Sequence, residues 1–146
     1  MTKIQIGELG EFSPNLMESG ELICYSRTIE FRGSTAELSV YPEGNRPPSD
    51  ESAARLATRL SQFTENVESQ MHKFVTLLRA ECREYIIDVS AMTDSQLIEN
   101  LEWTNINLDP KGTIECYARN LSVTNNFDIS LGFSDDFTLY RLQFDG

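Results

Sequence analysis

The side chains able to do chemistry in this chain are few, and their spacing suits little of it. His72 is the only histidine and stands between Met71 and Lys73. Any Ser–His or Cys–His nucleophile pair would have to use it, and no strand–turn–helix Gly-x-Ser-x-Gly elbow accompanies it. Cys24, Cys82 and Cys116 are odd in number, far apart and set in apolar patterns, so they read as reduced core residues. Metal chemistry would need Cys-x-x-Cys, paired histidines or a loop of alternating carboxylates, and phosphate chemistry a glycine-rich cradle; the chain has neither. A general-acid pair needs one carboxylate in an apolar pocket and another a few ångströms away. Every acid here lies in a polar or alternating context. The reading is therefore no catalytic residue, no cofactor and no metal. A carboxylate-dependent hydrolase is only the third hypothesis for function.

What the carboxylates offer instead is a surface. The formal net charge is −11, and residues 85–146 hold ten acids against three bases, −7 of that total. Charge gathered on one block points to a cationic partner rather than to bulk solubility. It argues against nucleic acid, whose phosphates need Lys and Arg to displace counterions, and against anionic membrane surfaces. The start Met1-Thr2-Lys3-Ile4-Gln5-Ile6-Gly7-Glu8 has no apolar signal core, and no apolar run approaches the roughly 20 residues of a membrane span. A cytoplasmic protein is expected. Asn120-Leu121-Ser122 is then a chance sequon match.

The elements that must position these groups follow from periodicity. By size, 146 residues make one domain. A weak strand at Lys3–Ile6 is followed by Gly, Ser, Pro and Asn punctuation through Asn15. Glu21–Arg32 and Thr35–Tyr41 read as a hairpin around Gly33-Ser34. Apolar steps of 3 and 4 from Ala53 to Val89 are helical, with Ser49 or Asp50 as cap. A single helix over 50–88 would be about 58 Å long, more than the domain's expected diameter. The weak formers Thr64, Glu65 and Asn66 therefore suggest a break and two helices. Thr93-Asp94-Ser95-Gln96 has capping-box spacing for a short helix to Leu101. Strands are expected at 103–109, 113–119, 126–133 and 137–145, with turns at Asp109-Pro110-Lys111-Gly112 and Ser134-Asp135-Asp136 and a polar loop at 121–126.

The expected fold is α+β: a mainly antiparallel sheet, an N-terminal hairpin plus a C-terminal four-strand meander, with two or three helices packed on one face. As a single domain over 1–146 it divides into a β-hairpin region (1–42), helices (49–101) and a β-meander (103–145). On the meander, Ile114, Cys116 and Ala118 share one face, leaving Glu115, Tyr117 and Arg119 on the other with Asp128 and Ser130. The partner-binding candidates are Glu102, Asp109, Glu115, Asp128, Asp135 and Asp136, with Tyr117 as an aromatic anchor and Trp103 as either a second anchor or a core residue.

Several segments carry a resemblance: TIEFRGSTAELSVYP (28–42), Met92-Thr93-Asp94, Leu101-Glu102-Trp103-Thr104-Asn105-Ile106, Asp109-Pro110-Lys111-Gly112 into Thr113–Tyr117, Asn126–Ile129 and Phe144-Asp145-Gly146. In these and in element order the chain resembles a bacterial family of small cytosolic α+β domains of unknown function. Domains that look like it occur as immunity proteins beside contact-dependent growth inhibition and polymorphic toxin systems. The resemblance implies an immunity protein that binds a cognate, basic, nuclease-type toxin domain. Nuclease domains are basic because they hold nucleic acid, and an acidic partner can be steered onto that surface. The alternative is an interaction or regulatory domain for a basic protein unrelated to toxins. Oligomeric state is not legible.

Overall fold

A computed structural model describes residues 2–120, 123 and 127–145. Eight strands follow in chain order: β1 (Ile4–Ile6), β2 (Gly10–Leu16), β3 (Leu22–Phe31), β4 (Ser34–Val40), β5 (Leu101–Leu108), β6 (Ile114–Asn120), β7 (Asp128–Phe133) and β8 (Leu139–Asp145). They pair in that same order into one sheet. Every pairing is antiparallel except β4–β5, where Leu38 lies beside Ile106 and Val40 beside Leu108 in parallel register. A parallel pair needs a long crossover, and the helices occupy it.

The chain is α+β, but not in the arrangement expected from the sequence. The hairpin and the meander are not separate units. The β4–β5 joint fuses them into a single mixed sheet, and the apolar faces of both strands meet in one core. Nor are there two helices separated by a break. Residues 50–84 form one helical run of 35 residues, in which Asp50–Asn66 and Met71–Glu84 are joined through a 3₁₀ turn at Val67–Gln70. Phe63, Val67, Met71 and Phe74 are all buried, so the apolar stripe passes through the proposed break without losing its face. Length did not force a break, because the run need not fit within the width of the sheet: 35 residues at 1.5 Å each make about 52 Å. Eight strands at about 4.8 Å spacing span about 34 Å, and the run packs from the turn Gly7–Leu9 beside β1 across to β8.

Two local expectations also shift. β2 takes the place of the loop that Gly10, Pro14 and Asn15 suggest. Pro14 is tolerated because β1 pairs only as far as Phe12, which leaves the outer side of β2 an open edge there. The β3–β4 turn is Arg32-Gly33, with φ of 48° and 82°, so both central residues are left-handed as a two-residue hairpin loop requires. The Ser34 hydroxyl then accepts a 3.1 Å bond from the Trp103 amide, tying β4 to β5. The loop expected at 121–126 lies outside the described residues, Val123 apart.

The caps follow the sequence. Ser49 Oγ accepts from the Ser52 amide at 3.1 Å. Thr93 and Gln96 bond reciprocally at the start of the short helix Asp94–Glu99. Trp103 is 1% exposed and meets Phe31 edge-on at 5.1 Å, so it is a core residue and not a surface anchor. The long helix also guards the sheet's last edge. Glu81 Oε2 accepts from the Phe144 amide at 3.0 Å and Gln70 Oε1 from the Leu139 amide at 2.9 Å, occupying amides of β8 that a foreign strand would otherwise pair with.

Candidate functional site

Strand register decides which side chains share the face turned away from the core. One row crosses six strands as Thr28, Glu37, Asn105, Tyr117, Ser130 and Gln143; the next runs Ser26, Ser39, Asn107, Glu115, Gly132 and Arg141. Further along, Glu102 stands opposite Arg119, and Asp128 opposite Asp145. The structure therefore brings Glu115, Tyr117 and Asp128 together on one face, as their alternation predicted, and adds Glu102 to it because β5 begins at Leu101, two residues before the expected start. Asp109, Asp135 and Asp136 lie off that face, in the β5–β6 and β7–β8 turns.

Each acid has a different local role. Arg119 Nε binds Asp128 at 2.8 Å, and both groups are about half exposed. Among the described residues the carboxylates of Glu102 and Asp145 make no side-chain hydrogen bond or contact ion pair, though Glu102 lies near enough to Arg119 to favour its charge. Three carboxylates and one guanidinium thus share this end of the face, in the order Glu102, Arg119, Asp128, Asp145 across β5 to β8. At the other end Glu115 is divided between two partners: the Tyr117 hydroxyl donates to Oε1 at 2.8 Å and Arg141 Nη2 to Oε2 at 3.0 Å. Loss of the Tyr117 proton would leave that bond unmade. The hydrogen bond to Glu115, partial burial and the nearby charge of Glu115 and Asp145 push the Tyr117 phenol up to about 12.

The turn acids serve the backbone. Asp109 accepts from the amides of Lys111 and Thr113 at 2.8 and 3.1 Å. Asp136 takes the Ser134 hydroxyl at 2.5 Å and the Thr138 amide at 3.2 Å, and these bonds hold its carboxyl below the usual range. Asp135 is exposed, while its carbonyl accepts from Arg59 of the long helix at 2.8 Å. Asp109 and Asp136 are accounted for by turn geometry, which leaves the sheet face with the freer charge.

Several face residues were not foreseen. Glu37 joins because β4 runs beside β5. With Glu11 and Lys3 it lines a shallow trough of about 720 Å³ over β2–β4, floored by Ser13, Asn15 and Thr28. Arg141 and Tyr140 both reach the face because a bulge in β8 sets Gly132 against Arg141 and Phe133 against Leu139, leaving Tyr140 over. Tyr140 is 59% exposed. A signal for this existed: Leu139 and Leu142 are both buried yet three residues apart, which a regular strand does not allow. The same odd step from Trp103 to Ile106 marks the bulge in β5.

His72 is exposed on the long helix. The three cysteines are free and buried, and burial pushes the Cys82 and Cys116 thiols up, Cys116 strongly. Among the described residues no three His, Cys, Asp or Glu side chains group as metal ligands, and no helix is long and apolar enough to cross a membrane. Compared with family models, characterised proteins and solved structures, the chain matches none.

Proposed function

We propose that this chain is a protein-binding domain whose open sheet face takes a basic protein domain, and that it acts in the cytoplasm as an immunity protein against a nuclease-type toxin. One observation carries the reading. Glu102 and Asp145 flank the Arg119–Asp128 pair on neighbouring strands, and among the described residues neither makes a side-chain hydrogen bond or a contact ion pair, so three carboxylates stand against one guanidinium. An uncompensated negative end on a solvent-facing sheet attracts a cationic surface and raises association rates by roughly 10- to 1,000-fold.

The rest of the face fits a contact surface. Tyr117 and Tyr140 stand beside Arg119 and Arg141, and Tyr and Arg dominate the energetic centres of protein interfaces. The Glu115–Tyr117–Arg141 network holds these side chains in place before binding, which lowers the ordering cost of association. The toxin assignment rests on the resemblance of the residue pattern and on the basicity that nuclease domains need. The test is co-expression with the toxic domain encoded by the adjoining gene. Rescue of growth together with co-purification supports the reading; survival without complex formation, or no rescue, rejects it.

A further inference from the structure

The β2–β3 hairpin runs past the rest of the sheet. β1 stops pairing with β2 at Phe12, and β4 stops pairing with β3 at Tyr25. Beyond those points residues 16–23 form the projecting tip of the hairpin, an arm in which Leu16 pairs with Leu22 and Met17 and Glu21 close the turn. Leu16, Met17 and Ile23 are 41%, 51% and 46% exposed. A bulge pairs Leu16 with Leu22 after Asn15 with Cys24, so Ile23 is left without a cross-strand partner. Scattered apolar side chains on a surface need no explanation, but three on one eight-residue arm do.

The arm's own features narrow what covers it. Strand addition along β2 is opposed by Pro14, which has no amide to donate. A second copy of the chain is opposed by charge. The arm carries Glu18 and Glu21 and no base, in a protein of net charge −11, so two arms repel. What fits is side-chain docking into an apolar cleft rimmed by Lys or Arg. We propose that the arm is a second contact element and inserts Leu16, Met17 and Ile23 into such a cleft, with Glu18 and Glu21 meeting the basic rim. The sign of the rim rests on the basic-partner reading above. The flexible thioether of Met17 suits a socket of imperfect shape.

The test titrates the isotope-labelled chain with an amphipathic helical peptide of leucine and lysine, and separately with its leucine–glutamate counterpart. Amide resonances of 16–23 should move with the basic peptide alone, and Met17→Ser with Ile23→Ser should weaken that binding by about tenfold or more. The inference is overturned if the arm stays still, if both peptides move it equally, or if it moves with protein concentration alone. Amides of Glu102, Tyr117 and Asp128 report on the sheet face in the same titration. Arm movement without face movement would count against the proposed function and not against the arm.

Discussion

Arg141 reaches Glu115 across an intervening strand, and Gly132 makes the reach possible. Glu115, Gly132 and Arg141 are register neighbours on β6, β7 and β8, yet the guanidinium lies 3.0 Å from the carboxylate. A Cβ on Gly132 would stand 3.1 Å from Arg141 Nε and 3.1 Å from Tyr140 Cζ. The glycine gives the arginine a floor to lie on. Glu115 thereby holds both Arg141 and the Tyr117 hydroxyl, and three strands share one polar network.

That network predicts alkaline behaviour. Tyr117 ionises near 12 when folded and near 10 when unfolded. The folded state therefore holds the proton more tightly. Its stabilisation is whole below about pH 10 and is lost as pH rises toward about 12. Glu115→Gln removes the charged acceptor, so one tyrosine should titrate nearer the ordinary value. Tyrosinate absorbance against pH, wild type beside variant, reads this directly; superimposable curves would refute the coupling.

Edge protection predicts a stability loss from a residue far from the face. Glu81→Ala deprives the Phe144 amide, on a residue 5% exposed, of its charged acceptor. The expected cost is about 1–3 kcal/mol, measured as a lower urea midpoint with unchanged slope. Glu84→Ala, on an exposed residue one turn on, should change stability by no more than about 0.5 kcal/mol.

Strain at the end of the long helix predicts a gain. Ile86 has φ of 57° and is 94% exposed. Its amide bonds the Arg83 carbonyl, and that of Ile87 bonds Cys82, the pattern in which glycine normally fills the left-handed position. A β-branched residue there is strained, and no buried area is lost by removing it. Ile86→Gly should raise unfolding free energy by about 1 kcal/mol, checked by the same urea titration.

Much of this architecture was legible because it depends on local signals. The caps at Ser49 and Thr93, the alternation through Ile114, Cys116 and Ala118, and the turn Asp109–Gly112 are set by residues within a few positions of one another. What was not legible depends on non-local pairing. Nothing near Glu37 announces that β4 will lie parallel to β5, so half of the face was missed. Nothing in Thr64–Asn66 tells that Phe63 and Val67 will pack on a broad sheet, so a break was expected where the helix continues. The acids illustrate the same divide: Asp109 and Asp136 looked equivalent to Glu102 in sequence, and only their hydrogen bonds separate turn builders from free charge.

The measurement that bears most directly on the proposed function is the association rate with the toxic domain that this function requires an adjoining gene to encode, at low and high salt, for wild type and for Glu102→Lys with Asp145→Lys. Glu102 stands opposite Arg119, so the charge reversal also costs some cross-strand attraction, and the variant's urea midpoint is read beside its association rate. The variant should associate at least about tenfold more slowly at low salt, with a flattened salt dependence. An unchanged on-rate at low salt would contradict the proposed function.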